Sequence, residues 1–201
     1  MAEIDRLPSD APETLRALED VDIAVAQRAA DVQQQPLVRW LGQASEMADQ
    51  PPLVAISLAT LAAGLLLRRP TVAIAGARML ATHAVATGIK AQVKRAVDRT
   101  RPYVLAEENR YVVRKGEENQ SRFNSFPSGH TAGAVAVAQA IARTHTPAAL
   151  PARLWAAAIA LVQIPRCAHY PSDVAAGAAI GFGADGLVRL AERRLGALGR
   201  R

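Results

Sequence analysis

The chain alternates apolar stretches with proline and arginine breaks, and this alternation limits the possible folds most. The longest uncharged stretch covers residues 52–67 and ends at an Arg-Arg-Pro break. Forty-three residues are alanine and eight are aromatic, which favours helices over a β-sandwich or barrel because β-branched and aromatic runs are scarce. We predict an all-α helical bundle with about five core helices. The other helical stretches are at 71–97, 128–143, 151–164 and 171–195.

The first 50 residues differ from the rest in charge. They contain ten acidic and four basic residues, whereas residues 51–201 contain eight acidic and twenty basic residues. Residues 11–33 have the pattern of an amphipathic helix that ends before Pro36, and a second short helical segment follows it. We therefore expect acidic amphipathic or interfacial helices at 1–50 and a helical-bundle domain at 51–201.

The helical stretches fit a membrane better than a soluble bundle. The sixteen residues of the uncharged stretch 52–67 rise about 24 Å as a helix, just short of a hydrocarbon core of ~30 Å. If residues 1–50 lie outside the cell, the arginines at the helix ends fall on the cytoplasmic side, as the positive-inside rule requires. The sequence thus predicts a multi-pass protein of the inner (plasma) membrane. The arginines concerned are Arg68, Arg69, Arg143, Arg153, Arg193, Arg194, Arg200 and Arg201.

The net charge of +6 indicates an anionic partner. Nucleic acid is the weakest candidate, since the basic residues are dispersed between apolar helices and form no recognisable reader motif. Charge alone does not choose between an anionic lipid surface and a phosphorylated substrate. The single cysteine, Cys167, excludes an intramolecular disulfide and any metal site built from several cysteines. The oligomeric state is unknown from the sequence.

Residues 98–127 are polar, charged and bounded by prolines, so we expect one long loop there. Three short polar segments interrupt the apolar pattern. In the first, residues 94–102, a lysine is followed after six residues by Arg-Pro, and the second, residues 126–130, reads Phe-Pro-Ser-Gly-His. The third, residues 166–173, contains His169 and Asp173 four positions apart. The segments fall at the end of the second core helix and at the starts of the third and fifth. Alternating helix directions put all three at one end of the bundle, where they can form one site.

The first two segments have the residue types of an anion cradle. Ser128 can cap a helix that begins with Gly129, and the free N–H groups and dipole at such a start attract phosphate. Lys94, Arg101 and Arg166 can neutralise the anion, and the arginines can do so through forked hydrogen bonds.

The histidines supply a nucleophile and an acid. A carboxylate at Asp173, one helical turn from His169, can fix the tautomer of the imidazole and leave its far nitrogen as a nucleophile. A second imidazole, His130, can protonate the departing oxygen. The sequence contains no carboxylate cluster suited to a metal.

The three segments resemble the signature of the type-2 phosphatidic acid phosphatase superfamily, which includes vanadium haloperoxidases and bacterial class A acid phosphatases. That signature is Lys-x6-Arg-Pro, then Pro-Ser-Gly-His, then Ser-Arg-x5-His-x3-Asp. The first two motifs match in full, and His169 with Asp173 matches the core of the third. The resemblance implies a membrane phosphatase that needs no metal or cofactor. We expect its active site to face the outside if residues 1–50 lie there, and the cytoplasm if those residues remain cytoplasmic. Implied substrates are phosphatidic acid, phosphatidylglycerophosphate, undecaprenyl diphosphate or a lipid A phosphate.

The resemblance also implies residue roles. His169 attacks phosphorus and forms a phosphohistidine, while Asp173 holds its other ring nitrogen. His130 protonates the leaving group and then activates the hydrolytic water. The non-bridging oxygens are bound by Lys94, Arg101, Ser128 and the N–H group of Gly129.

One position departs from the signature. The third-motif arginine should stand six residues before His169, where this chain has Gln163. Arg166 lies three residues before His169, and if the helix continues through Pro165, Arg166 shares nearly the same face as Gln163, one turn further on. We expect Arg166 to take the phosphate-binding role; otherwise the cradle is weakened or inactive. Residues outside the motifs are interpreted as structural (His83, His145) or as interfacial cations (Arg95, Arg99).

Two alternatives stay open. One is a soluble or peripheral acid phosphatase, or a vanadate-dependent peroxidase, of the same superfamily; the short chain and the lack of a visible secretory signal count against it. The other is a non-catalytic membrane protein that binds a lipid phosphate, which the departure at Gln163 keeps possible.

Overall fold

The computed structural model describes residues 4–116 and 120–198, so Arg200 and Arg201 lie outside the described residues. Within these ranges the chain is mainly helical, which confirms the all-α prediction. The α-helices are α1 (Glu13–Ala30), α2 (Pro36–Ser45), α3 (Gln50–Leu66), α4 (Pro70–Ala96), α5 (Pro102–Glu108), α6 (Gly129–Thr144), α7 (Ala149–Val162) and α8 (Pro171–Leu198). The strands are β1 (Ile4–Asp5), β2 (Val97–Arg99) and β3 (Tyr111–Lys115).

Five of the helices form the bundle predicted from the sequence. Helix α6 lies at its centre and packs against α4, α7 and α8, while α3 packs along α4. Nine residues of α6 are buried, and most of them are alanine, glycine or valine. Small side chains let neighbouring helices approach closely, so the alanine-rich composition becomes tight packing around α6.

Not all five bundle helices have the dimensions of a membrane span. Among the described residues, α4 (over Pro70–Ala96) and α8 (over Pro171–Ala197) are long and apolar enough to cross a membrane. A third candidate is the pair Pro36–Ala48 and Gln50–Leu66, which is bent by 53°. Helices α6 and α7 rise only about 24 and 21 Å, short of a ~30 Å hydrocarbon core. The expected helices are present, but two or three of them, rather than five, qualify as spans.

Segment 98–127, expected to be an irregular loop, contains regular structure. Strand β2 pairs antiparallel with β3, and β1 pairs parallel with the other edge of β3, giving the order β1-β3-β2. Helix α5 follows β2, and its C-terminal cap is Asn109, whose φ of 50° lies in the left-handed region. The expectation of a loop was wrong because strands this short carry no recognisable alternating pattern.

The amphipathic helix α1 buries two acidic residues and exposes part of its apolar side. Glu19 and Asp22 are buried, while Leu15, Leu18 and Val21 are about half exposed. Helix α1 packs against α5 and α8, so its carboxylates face the bundle end where α8 begins. The N-terminal residues therefore contribute charged groups to that end.

Two glycines permit the close contact of α3 with α4. A Cβ atom added at Gly64 would lie 2.1 Å from the backbone nitrogen of Ala73, and one at Gly76 would lie 2.3 Å from that of Leu61. Both distances are far inside van der Waals contact with main-chain atoms, so no side chain fits at either position while the helices stay this close.

We expect Gly76→Ala to lower the thermal unfolding temperature of the protein in detergent. The added methyl group must push α3 and α4 apart, and overpacking of this kind costs about 1–3 kcal/mol. Gly88→Ala, in the same helix, is the control: nothing lies within 4 Å of its added Cβ. Since alanine is the better helix former, Gly88→Ala should leave the unfolding temperature unchanged or raise it. Equal unfolding temperatures for the two variants would contradict this account of the packing.

Candidate functional site

The structure brings the three polar segments together at one end of the bundle. Helix α4 ends there, and α6 and α8 begin there. The backbone N–H of Ser128 donates to the carbonyl oxygen of Asp173 at 3.0 Å, which ties the second segment to the third. The Lys94 Nζ atom donates to the carbonyl oxygen of Asn124. This bond ties the first segment to the residues just before the second.

His169 lies in the connection between α7 and α8 and is 2% exposed. Its Nδ1 atom is 2.7 Å from the carbonyl oxygen of Ser125. Because a carbonyl oxygen can only accept, Nδ1 carries the proton and Nε2 presents its lone pair. Burial lowers the pKa of His169 to about 4, although Asp173 acts in the opposite direction, so the imidazole is neutral near pH 7.

Asp173 holds His169 indirectly. The sequence predicts a direct bond between the two side chains, but Asp173 Oδ2 is 3.7 Å from His169 Nδ1, beyond hydrogen-bond distance. The carboxylate instead accepts from the Ser125 hydroxyl at 2.6 Å and from the Tyr170 N–H at 2.8 Å. It thereby fixes the residue whose carbonyl oxygen orients the imidazole.

Arg99, interpreted from the sequence as an interfacial cation, is buried, and that interpretation was wrong. Its Nη1 atom donates to Asp173 Oδ1 at 2.8 Å, and its Nη2 atom donates to Asp22 Oδ2 at 2.9 Å. The guanidinium carbon lies 4.1 Å from the ring centroid of Tyr170. Burial by itself lowers the pKa of Arg99, but Asp173 and Asp22 raise it above its usual range, so the guanidinium stays charged.

Asp22 joins helix α1 to this network. It accepts from the Ser172 N–H at 3.0 Å and also from the Ser172 hydroxyl. Asp22 belongs to none of the three sequence motifs. The helical spacing carried a signal, because it puts Asp22 on the same face of α1 as Ala26 and Ala29. This face is turned inward, where an acidic side chain needs a partner.

The start of α6 offers unpaired donors. The Ser128 Oγ atom accepts from the Thr131 N–H at 3.4 Å, which confirms the predicted N-cap. The backbone N–H groups of Gly129 and His130 have no acceptor within residues 4–116 and 120–198. Free N–H groups at a helix start, together with the helix dipole, attract an anion.

Two predicted cations lie near the nucleophile candidate. Lys94 and Arg101 are both within electrostatic reach of His169. The Arg101 Nε atom donates to the carbonyl oxygen of Ser121 at 2.9 Å, which holds the guanidinium at the start of α5. The surroundings of His169 are therefore positively charged.

His130 lies in the first turn of α6, opposite Glu46, which belongs to none of the three motifs. Its Nε2 atom is 3.4 Å from Oε2 of Glu46, and the other oxygen of Glu46 accepts from Arg166 Nη2 at 2.6 Å. The carboxylate thus lies between His130 and Arg166. A cavity of about 280 Å³, lined mainly by polar side chains of α2 and the preceding turn, opens beside Glu46 and Arg166.

Arg166 and Gln163 meet at the same hydroxyl group. Arg166 Nη1 donates to Ser45 Oγ at 2.6 Å and to the carbonyl oxygen of Gly42 at 3.1 Å. Gln163 is fully buried, and its amide nitrogen lies 3.3 Å from Ser45 Oγ. Arg166 is also within electrostatic reach of Arg101. Its guanidinium therefore lies at the edge of the site but bonds to α2.

Cys167 is the other potentially reactive side chain here. Burial raises the pKa of its thiol to about 11, so the thiol stays protonated and is a poor nucleophile. Among residues 4–116 and 120–198, no three His, Cys, Asp or Glu side chains are grouped so that they could hold a metal ion.

Comparisons with known proteins agree with this fold. Residues 72–196, which include all three polar segments, match the model of the PAP2 superfamily. The crystal structure of the first transmembrane PAP2 type phosphatidylglycerolphosphate phosphatase, from Bacillus subtilis, is similar, with a TM-score of 0.64, 19% identity, and coverage of 89% of this chain and 87% of that one. LpxE of Aquifex aeolicus has a TM-score of 0.60, 18% identity, and coverage of 90% and 98%. No match is found among curated proteins.

We expect Arg99→Met to destabilise the protein strongly. The variant leaves the buried carboxylates of Asp22 and Asp173 without their shared cation, and breaking a buried ion pair costs about 3–5 kcal/mol. Arg95→Met is the control, because Arg95 is exposed four residues away. Thermal unfolding in detergent compares the variants, and a similar unfolding temperature for both would contradict the role given to Arg99.

Proposed function

The chain belongs to the PAP2 superfamily, and we propose that it is a membrane-bound phosphatase that hydrolyses a lipid phosphate or diphosphate through a phosphohistidine at His169. One observation carries the proposal: His169 is neutral, and its Nδ1 proton is held by the Ser125 carbonyl oxygen. The free Nε2 lone pair is therefore available for attack, and Lys94 and Arg101 are close enough to attract a phosphate.

The first step transfers the phosphoryl group to the protein. The Nε2 lone pair of His169 forms a bond to phosphorus while the bond from phosphorus to the leaving oxygen breaks. A proton from Nε2 of His130 neutralises that oxygen as it departs. As the bond forms, His169 becomes positively charged, and the carboxylate of Asp173, 3.7 Å from Nδ1, stabilises that charge.

The second step releases inorganic phosphate. His130, now neutral, accepts a proton from a water molecule, whose oxygen attacks phosphorus as the bond to His169 breaks. The non-bridging oxygens carry negative charge throughout both steps. We assign their binding to Lys94, Arg101 and the free N–H groups at the capped start of α6, where Ser128 fixes the geometry.

Membrane association suits this placement of the site. Helices α4 and α8 have the length and composition of spans, and both have one end at the site. Helix α1 exposes Leu15, Leu18 and Val21, as a helix lying in a membrane interface does. A lipid can then present its phosphate at the bundle end while its chains stay in the bilayer. We assign the protein to the inner membrane, with residues 1–50 and the site on the outer side.

We expect His169→Asn to lose phosphate release from lipid phosphates by at least about a thousandfold, because the variant lacks the attacking nitrogen. His130→Ala should lose less, and an aryl phosphate should restore only its first step, formation of the phosphohistidine, since a phenolate leaving group needs little protonation. Phosphate release from purified protein in detergent measures both effects, with His145→Ala as the control and thermal unfolding as the check on folding.

Full activity of a folded His169→Asn variant would contradict the phosphohistidine. Acid quenching with radiolabelled substrate provides a separate measurement, since it should trap label on wild-type protein and none on His169→Asn. Extraction tests the membrane assignment, because a protein recovered in the supernatant without detergent favours the soluble or peripheral alternative.

A second candidate function is a membrane protein that binds a lipid phosphate without turning it over. The observation that favours it is Gln163, which is buried where the signature has arginine, while Arg166 bonds to α2. Binding without phosphate release across a panel of phosphatidic acid, phosphatidylglycerophosphate and undecaprenyl diphosphate would support it.

If Arg166 supplies the missing positive charge, Arg166→Ala should reduce kcat/KM for lipid phosphates about 10- to 100-fold, the loss typical of one charged hydrogen bond to phosphate. Arg153→Ala is the control, because Arg153 is exposed on α7. Unchanged turnover in Arg166→Ala would mean that Arg166 only ties the α7–α8 connection to α2.

A further inference from the structure

Lys90 is a second lysine near the site that belongs to none of the three motifs. The chain contains only three lysines against 21 arginines, and two of them, Lys90 and Lys94, are one turn apart on α4. Residues four apart on a helix share a face, so Lys90 is on the same side of α4 as the motif lysine. The third, Lys115, is exposed at the end of β3.

The Lys90 side chain reaches the first residue of α6. A Cβ atom placed on Gly129 would lie 3.2 Å from Cδ of Lys90 and 3.4 Å from its Nζ. The ammonium group therefore lies beside the helix start whose N–H groups are unpaired. Glycine at this position leaves the space that the lysine occupies.

This position is electrostatically unfavourable for a cation unless an anion joins it. A helix start carries a partial positive charge, so a cation there is destabilising. Within residues 4–116 and 120–198, Lys90 makes no hydrogen bond or ion pair, and Asp49 is the carboxylate within its electrostatic reach. Lys94 adds another positive charge one turn away, and its hydrogen bond goes to an uncharged carbonyl oxygen.

We propose that Lys90 is a further phosphate-binding residue, whose ammonium group binds a non-bridging oxygen of the substrate phosphate beside the N–H of Gly129. The identity of the bound group rests on the proposed function. The bound dianion would neutralise two lysines and the helix start together, which accounts for this grouping of positive charge.

The test uses orthovanadate, a phosphate analogue whose binding is measurable without turnover. The purified full-length protein in detergent is titrated with orthovanadate, and its dissociation constant is obtained from the rise in thermal unfolding temperature. We expect Lys90→Met to weaken binding about tenfold or more, Lys90→Arg to retain most of it, and Lys115→Met to match wild type. For lipid phosphate, Lys90→Met should also raise KM or lower kcat.

Wild-type affinity for orthovanadate in a folded Lys90→Met variant would overturn the proposal, as would an absence of orthovanadate binding by wild-type protein. If Lys90→Met does not fold, Lys90→Gln gives the same comparison. A wild-type protein that binds orthovanadate but releases no phosphate would count against the proposed phosphatase activity alone, and the comparison of lysine variants would still decide the role of Lys90.

Discussion

The buried ion pairs of Arg99 with Asp22 and Asp173 hold the candidate site together. One guanidinium group links the strand after α4, the N-terminal helix α1 and the first turn of α8. The backbone of Arg99 adds a further link, because its carbonyl oxygen accepts from the Ser125 N–H at 3.0 Å. Ser125 in turn presents the carbonyl oxygen that orients His169. Three charges inside a protein are costly unless they are paired, so this arrangement tolerates little change.

The departure from the family signature involves a second contact between the N-terminal residues and the bundle. Ser45 Oγ receives hydrogen bonds from both Gln163 and Arg166, and Glu46 pairs with Arg166 while it also approaches His130. The end of α2 and Glu46 thus determine where the Arg166 guanidinium lies. The same residues border the cavity that opens beside Glu46 and Arg166.

Tight packing and positive charge meet at the start of α6. The alanine-rich body of this helix lets α4 and α8 approach from two sides, which places the ends of both beside its first turn. The Lys90 side chain of α4 then lies beside the free N–H groups of α6. The positive character of this region comes from backbone and helix geometry as much as from any one side chain.

Local patterns in the sequence determined the helices, the Ser128 cap and the meeting of the three polar segments, because helix period, capping and chain alternation depend on neighbouring residues. The tertiary structure decided the burial of Arg99, the pairing of His169 with the Ser125 carbonyl oxygen, the bonds of Arg166 to α2 and the short strands of segment 98–127. Each of these depends on a partner distant in the chain, and the charge or polarity of a residue does not reveal whether that partner is protein or water.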